Sequence, residues 1–436
     1  MARFSPYLRY LPISVVLTLL LGFSSVGASK KTALQNQAAL KAEAWEAWED
    51  GEIDYAAELA TKLIEYKNEA SAGWHLLFLK AFITGDYEEA LGLYKKIDPE
   101  YSRLDELNKT VVHAFLHLGR YAKAEEFARS RDMEKHLCDR LKSFKERPLK
   151  VTLDRLTVIP FAEGPLSEYF PDFEVELEGQ KVIAHVDTGG TFLHMAPARA
   201  EKFGIELIAG GEAYHGSRRV KIYHGIARSF RIGEALFENV PVGALASLVG
   251  QENFIIFGTN ILQKFLSTLD YPNKRLILSP RNNPQLRKNH LAMLPADRVK
   301  IPFFMGADHY MFTRGAVGEN RGLNFFIDSG LVSLHPDGRG GIRQAAFTAP
   351  AGSFIKWGFK PEEVEQGVFE SHLPLSFGPL EQEGHLVLAG KAKKESYSSF
   401  EGVRIDGLLS HAFLKRYTWT LDFSKRKYIF SSQRQD

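Results

Sequence analysis

The chain has 436 residues, enough for two or three domains of ordinary size. Hydrophobic residues make up 44% of it and charged residues 25%, as is typical of a globular protein. Basic residues exceed acidic ones by only two, so the overall charge offers no general attraction to nucleic acid or to an anionic membrane. Cys138 is the only cysteine, which excludes an intrachain disulfide and a cysteine-based zinc site.

Residues 1–28 have the pattern of a secretory signal peptide. Arg3 and Arg9 precede an apolar run of 13 residues, shorter than the roughly 20 that span a bilayer as a helix. Small residues then lead to Ala28, after which we expect cleavage. The sequence predicts a periplasmic or secreted protein with no stable membrane insertion after cleavage, and an uncleaved N-terminal anchor is the alternative.

Residues 29–147 are rich in Ala, Glu, Lys and Leu, and three glycines recur there at intervals of 34 residues: Gly51, Gly85 and Gly119. A glycine that ends one helix, followed by an alanine that lets the next helix pack closely, is typical of helix-turn-helix repeats. The segment resembles the tetratricopeptide repeat family, which implies a concave surface for a protein or peptide partner. A structural cap on the following domain is the other interpretation.

Beyond Val151 the pattern changes to short strands and hairpins, and one motif occurs twice. The mostly apolar residues 182–186 lead into Asp187-Thr188-Gly189, and 141 residues after Asp187 the mostly apolar residues 323–327 lead into Asp328-Ser329-Gly330. Each half also closes with a matching segment, because residues 255–271 align with residues 407–423 without a gap at an offset of 152. We infer an internal duplication, with one lobe at residues 151–285 and the other at residues 296–436.

An apolar strand, Asp-Thr/Ser-Gly, a hairpin-rich middle and an apolar closing segment resemble the aspartic peptidase unit of retropepsins. Two such units in one chain are similar in plan to pepsin-like enzymes, and the resemblance covers about 270 residues. It implies a multidomain α plus β protein. An α-helical tetratricopeptide-like array would precede an all-β bilobal acid-protease fold made of two duplicated retropepsin-like lobes.

By this resemblance, Asp187 and Asp328 form a catalytic dyad around an attacking water. Two carboxylates about 3 Å apart cannot both ionise, so they share one proton and can act as base and acid in peptide hydrolysis. Thr188 and Ser329 would hydrogen-bond across the pseudo-two-fold axis. Gly189 and Gly330 would let the backbone turn toward the carboxylates.

A hairpin flap over the cleft is expected within residues 210–216. Tyr214 and Tyr223 are candidates for an aromatic contact with substrate, and strand-edge tyrosines are the alternative interpretation. Clefts of this family bind extended peptides through main-chain hydrogen bonds. The expected partners are therefore a peptide or unfolded protein substrate and, on the helical repeats, a further protein.

The two halves differ at three places that bear on activity. Ile255 stands opposite Gly407, and Gly190 and Leu331 follow the two Asp motifs. Ser410 stands in the second closing segment where the first has Gly258, at the point that packs under the Asp loop. The sequence therefore leaves two functions open. One is an exported aspartic endopeptidase whose repeats recruit protein substrates, and the other is a catalytically degenerate peptide- or protein-binding module.

Other chemistries lack their motifs. The 14 histidines include no His-Glu-x-x-His pair, and the Gly-Gly pairs lack the Lys-Ser/Thr of a phosphate-binding loop. No Gly-x-Ser-x-Gly serine motif occurs. We therefore expect no cofactor, no metal and no nucleic-acid partner.

Overall fold

The computed structural model describes residues 35–164, 167, 169–215, 218–248, 253–336, 341–390 and 397–432. The predicted signal peptide, residues 1–28, lies outside the described residues. Within the described part, no helix has the length and apolar character needed to cross a membrane.

Helices occupy residues 35–146, and their ends follow the periodic glycines. Gly51, Gly85 and Gly119 have φ angles of 75°, 92° and 68°, which only glycine adopts easily, and each separates two consecutive helices. After Gly85, the Asp86 side chain accepts a hydrogen bond from the Glu89 amide at 3.2 Å and caps the next helix. The assignment of these helix pairs to the tetratricopeptide family stays a prediction. The bounds are 35–49 (α1), Ile53–Ile64 (α2), Ala70–Thr84 (α3), Tyr87–Tyr94 (α4), Leu104–His117 (α5), Tyr121–Ser130 (α6) and Lys135–Glu146 (α7).

The first lobe contains the elements Lys150–Thr152 (β1), Thr157–Pro160 (β2), Asp172–Leu177 (β3), Gln180–Asp187 (β4), Leu193–Met195 (β5), Pro197–Lys202 (α8), Ile208–His215 (β6), Arg218–Ile232 (β7), Ala235–Leu245 (β8), Ile255–Gly258 (β9), Thr259–Leu262 (α9), Phe265–Asp270 (β10), Arg275–Pro280 (β11) and Pro284–Ala292 (α10). Eight of its strands form one sheet in the order β1-β8-β5-β9-β4-β3-β7-β6. Strand β3 buries Phe173, Val175 and Leu177 and turns the glutamates between them outward, the alternation of a strand with one face on a core.

The second lobe repeats the plan in a nine-stranded sheet, in which β19-β22-β18-β25-β15-β14-β20-β21 are consecutive neighbours and β13 pairs with β14. Its elements are Val299–Pro302 (β12), Phe304–Gly306 (β13), Tyr310–Val317 (β14), Asn320–Ile327 (β15), Leu334–Pro336 (β16), Ile342–Gln344 (β17), Phe347–Pro350 (β18), Ala351–Lys356 (α11), Pro361–Val364 (α12), Val368–Glu370 (β19), Leu375–Phe377 (β20), Leu380–Gln382 (β21), Leu386–Gly390 (β22), Ser399–Phe400 (β23), Val403–Arg404 (β24), Gly407–Leu409 (β25), His411–Leu414 (α13), Tyr417–Asp422 (β26) and Lys427–Ser432 (β27).

A six-stranded sheet, β12-β27-β26-β10-β11-β2, joins the two lobes. At its centre β10 and β26 pair antiparallel, with Thr268 opposite Thr420. These two residues are equivalent in the duplication, and their hydroxyl oxygens lie 2.6 Å apart. The pseudo-two-fold axis therefore passes between them. A helical region followed by a bilobal β-rich region confirms the predicted fold class.

The helical region packs on the second lobe and shares a hydrophobic core with it. Phe312, Phe326 and Phe400 lie in one buried cluster with side chains of α1 to α5. The Trp48 indole donates to the Glu401 carbonyl at 2.8 Å. The helices and the second lobe are therefore one packed unit, and this fixes how the helices face the cleft.

Candidate active site

The two predicted acids end equivalent strands. Asp187 is the last residue of β4, which runs parallel to β9, and Asp328 directly follows β15, which runs parallel to β25. Strands β4 and β15 end in buried apolar residues, so each delivers its acid from the core of its lobe. The duplication brings the two ends face to face.

The carboxyl groups of Asp187 and Asp328 lie close together where the two lobes meet. The turns around them are so close that neither glycine could carry a side chain. A Cβ at Gly189 would lie 2.7 Å from Oδ2 of Asp328, and one at Gly330 would collide with the Asp187 carboxyl. The glycines of the two motifs thus make room for the opposite acid.

Backbone amides hold each carboxylate in the same way. The Gly189 amide donates to Oδ1 of Asp187 at 2.8 Å, and the Gly330 amide donates to Oδ1 of Asp328 at 2.9 Å. The Leu331 amide adds a second bond to the same Asp328 oxygen at 3.1 Å. The two turns are therefore nearly equal in geometry, although Gly190 and Leu331 follow them.

Thr188 and Ser329 form a reciprocal pair beneath the acids. The Thr188 amide donates to the Ser329 hydroxyl at 2.9 Å, and the Ser329 amide donates to the Thr188 hydroxyl at 2.9 Å. The Thr188 hydroxyl in turn donates to the Ile327 carbonyl at 3.0 Å. Both side chains are fully buried, so the bonds form without competition from solvent and fix one lobe's turn against the other.

Burial, and then the charge of Asp187, raises the pKa of the Asp328 carboxyl well above its usual range. Hydrogen bonds from the Gly330 and Leu331 amides lower it only in part. The pair therefore retains one proton at a pH where an ordinary aspartate is ionised. A carboxylate and a carboxylic acid side by side are a general base and a general acid.

The closing turns differ as the sequence indicated. A Cβ at Gly258 would overlap the carbonyl oxygens of Gly190 and Thr191, so only glycine fits there. The second lobe gives its counterpart Ser410 room: the hydroxyl donates to the Ala345 carbonyl at 2.5 Å and accepts from the Ala412 amide at 3.1 Å. The serine has replaced glycine without displacing the Asp328 turn.

The acids line a cavity of about 1390 Å³ to which both lobes and the helical region contribute. Ala213 and Ile222 of the β6–β7 hairpin lie on one side, and His113 and His117 of α5 lie on another. Residues 210–215 of the predicted flap segment, 210–216, thus belong to this hairpin, whereas residues 216–217 lie outside the described residues. The helical region faces the cleft.

The structure places the two predicted substrate tyrosines differently. The Tyr223 ring packs against the hydrophobic core, because its neighbours Ile222 and His224 take the cavity face of β7. Tyr214 lies in β6, where its backbone pairs with Arg219, and its side chain lies outside what the structure describes.

Two tyrosines that the sequence did not single out line the cavity, Tyr310 and Tyr397. Their rings are 5.8 Å apart in an edge-to-face contact. Burial raises the pKa of both phenols, and the charges of Asp187 and Asp328 raise it further. Both tyrosines come from the second lobe, 87 residues apart in the chain, so no local pattern could have paired them.

Several histidines line the cavity wall, and burial makes three of them weaker bases. Burial lowers the pKa of His117 and His224 to about 3 and that of His194 to about 4. Among the residues that the structure describes, no group of three or more histidine, cysteine or acidic side chains could hold a metal ion.

A family model described as aspartyl protease matches residues 173–261, which include Asp187. No curated protein matches the chain. Among solved structures, a retropepsin-like aspartic protease from Rickettsia conorii is 18% identical, with 31% of this chain and 95% of that chain covered and a TM-score of 0.24. Basic 7S globulin from soybean is 11% identical, with 64% and 95% covered and a TM-score of 0.38. The family match supports an aspartic protease-like function.

Proposed function

We propose that the protein is an exported aspartic endopeptidase in which Asp187 and Asp328 activate water. The observation that carries the proposal is the close pair of carboxyls, whose turns are held together by the reciprocal Thr188–Ser329 bonds. Burying two acidic side chains beside each other lowers the stability of the folded protein. A protein that only binds peptides would have no use for this loss of stability.

In the proposed reaction the ionised member of the pair takes a proton from water as the water oxygen bonds to the peptide carbonyl carbon. The protonated member donates to the carbonyl oxygen, giving a neutral tetrahedral intermediate. The carboxyl that took the water proton then gives a proton to the amide nitrogen, while the other carboxyl takes one back from a hydroxyl of the intermediate. The carbon–nitrogen bond breaks, and the pair returns to its starting protonation. Every proton moves between substrate, water and the two carboxyls, so no cofactor is needed.

The size of the cavity favours a peptide substrate. Pockets for small molecules usually measure about 300–1,000 Å³, and this cavity measures about 1390 Å³. Tyr310 and Tyr397 supply aromatic surface beside the acids, and β6 offers an edge of the first lobe's sheet to an extended chain. We extend the proposal to the helical region, which would contact the bound substrate through α5.

The test is digestion of denatured casein by the purified protein between pH 3 and pH 8, with and without a pepstatin-type inhibitor. We expect inhibitor-sensitive cleavage that Asp187→Asn and Asp328→Asn abolish. The control is Asp154→Asn, an exposed acid near β1 that should leave cleavage unchanged. Absence of cleavage at every pH, or full cleavage by Asp187→Asn, would contradict the proposal and leave a peptide-binding module.

Export is a separate part of the proposal and has its own test. The mature protein recovered from cells should begin at Ser29 when its N-terminus is sequenced. A chain that retains residues 1–28 and sediments with membranes would show that this segment is an anchor instead.

A further inference from the structure

Three basic side chains lie together on the cavity wall where the helical region meets both lobes: Lys264, Arg281 and Arg426. Lys264 follows α9 and Arg281 follows β11, both in the first lobe, whereas Arg426 lies between β26 and β27 in the second. They belong to the same cavity as the acids, but no step of the proposed hydrolysis uses them.

Neutral groups hold these cations side by side. Arg281 donates to the carbonyl of Gln263, the residue before Lys264, at 2.6 Å, and to the hydroxyl of Ser424, two residues before Arg426, at 3.1 Å. Arg426 donates to the hydroxyl of Tyr87 at the start of α4. The helical region therefore completes the cluster and encloses it.

Gly85 shows how closely the helices approach. A Cβ there would lie 2.5 Å from Nε and Nη2 of Arg426. The glycine that ends α3 thus also leaves space for the guanidinium of the second lobe. A wall built this tightly around a cation indicates a defined position rather than a solvated surface chain.

None of the three cations forms an ion pair with a carboxylate among the residues that the structure describes. The charge of Asp422 does act on Arg281, but the Asp422 carboxylate is paired with Arg287. The other acids of the cavity wall, apart from the dyad, already have partners. Glu212 pairs with Arg219 at 3.7 Å, Asp308 with His309 at 2.6 Å and Asp406 with Arg404 at 2.9 Å.

The electrostatic consequence is an excess of positive charge in an enclosed space. Burial and the neighbouring Arg281 lower the pKa of Lys264 to about 8. Burial, and then Arg426, lowers the pKa of Arg281. A concave, partly desolvated wall of one charge sign attracts an ion of the opposite sign and strengthens the hydrogen bonds to it.

We propose that Lys264, Arg281 and Arg426 bind a carboxylate of the peptide substrate, and so select substrates with an anionic group on one side of the scissile bond. This rests on the proposed function, because it takes the occupant of the cavity to be a peptide. A C-terminal carboxylate and an Asp or Glu side chain share the required chemistry. The two sources are separated in the experiment.

The duplication supplies a matched control. Arg416 stands in the second closing segment at the position that Lys264 has in the first, 152 residues earlier, and its side chain is exposed. Both are basic residues after equivalent short helices, but only Lys264 lines the cavity. Lys264→Gln and Arg416→Gln therefore remove one charge each from equivalent places, inside and outside the proposed site.

The experiment measures binding of fluorescein-labelled decapeptide pools to the full chain carrying Asp328→Asn, so that binding does not depend on cleavage. The reference pool is amide-ended and lacks Asp and Glu. A second pool differs only in its free C-terminal carboxylate, and a third is amide-ended but contains Asp and Glu. We expect the second pool, the third or both to bind about tenfold more tightly than the reference in low salt at pH 6.

Lys264→Gln should reduce this preference to less than about threefold, and Arg416→Gln should leave it unchanged. The Lys264 side chain makes no hydrogen bond to a described residue, and the Lys264 backbone amide, which donates to Ile261, is unchanged by the substitution, so Lys264→Gln should not disturb folding. Arg281→Gln provides a second variant. Equal binding of all pools, no binding of any pool, or a preference that survives both variants would overturn the carboxylate site. If the native chain did not cleave casein but the preference for anionic peptides remained, only the proposed hydrolysis would be overturned.

Discussion

Proton binding by the Asp328 carboxyl is linked to the stability of the folded protein. Its pKa is raised in the folded protein, chiefly by burial and then by Asp187, so the folded chain binds this proton more tightly than the unfolded chain does. The stability from that proton is therefore complete below the unfolded pKa of about 3.9 and is lost as the pH rises toward the folded pKa.

Asp328→Asn should therefore stabilise the protein at neutral pH while abolishing hydrolysis. The amide oxygen can still accept from Gly330 and Leu331, and the amide nitrogen can donate to Asp187, so the turn keeps its bonds. We expect a gain of roughly 0.5–2 kcal/mol in the free energy of unfolding at pH 7 and almost none at pH 3. Denaturant unfolding at both pH values measures it, and equal stability at pH 7 would count against a raised pKa.

Thr188 is expected to affect both rate and stability. Thr188→Val keeps the shape but leaves the buried Ser329 amide and Ile327 carbonyl without their partner. We expect a loss of about 1–3 kcal/mol in stability and, because the acids shift relative to each other, a loss of up to about 10²-fold in cleavage rate. Thr152→Val on exposed β1 is the control. Unchanged kinetics in Thr188→Val would show that the reciprocal bonds do not position the acids.

Some residues in and around the acid pair could be predicted from the sequence, and others could not. Asp187 and Asp328 were predictable because the motif and its apolar strand are contiguous in the chain. The sequence left Tyr223 open between a substrate contact and a strand-edge tyrosine, because alternation along β7 gives the period of two but not which face meets the cavity. Tyr397 and Lys264 reach the cavity through tertiary packing, which no local pattern contains.

At the scale of elements, the two closing turns occupy equivalent positions in the sequence, but only the second has space for a side chain. Gly258 lies against two backbone carbonyls, whereas the Ser410 side chain has three hydrogen-bond partners of its own. The helix ends at the periodic glycines and the paired closing segments followed from the sequence. The space beneath each turn depends on where β5 and β18 lie, and this could not be predicted.

Exchanging the two residues tests this difference. Gly258→Ser should cost more than about 3 kcal/mol, because rigid backbone cannot relax around the side chain, and should remove cleavage. Ser410→Gly should cost only about 1 kcal/mol, the usual contribution of a lost helix cap and hydrogen bond, and should retain cleavage. Thermal unfolding and casein digestion measure both. Equal effects would mean that the two turns pack alike.

At the scale of the whole molecule, the helical region and the second lobe share their core. Phe312, Phe326, Phe400 and Val403 are buried together with the helices. Fully burying one such side chain stabilises a protein by roughly 1.5–3 kcal/mol, so four contribute roughly 6–12 kcal/mol, comparable with the 5–15 kcal/mol that holds a typical domain folded.

A chain beginning at residue 148 should therefore fail to give a folded monomer, whereas a chain beginning at Ser29 should fold. Size-exclusion chromatography and circular dichroism distinguish the outcomes. The full-length protein should also unfold in a single transition. A monomeric truncated chain that melts within a few degrees of the full-length protein would show that the helices are an independent appendage.

In the proposed function, Asp187 and Asp328 work as one pair that shares a proton. The most direct measurement is kcat/KM for peptide cleavage between pH 2 and pH 9, for the native chain and for Asp328→Asn. We predict a bell-shaped profile, rising as the pair loses its first proton and falling, above the usual aspartate range, as it loses the second, with no activity in the variant. A rate that keeps rising to pH 9, or that survives Asp328→Asn, would contradict the account.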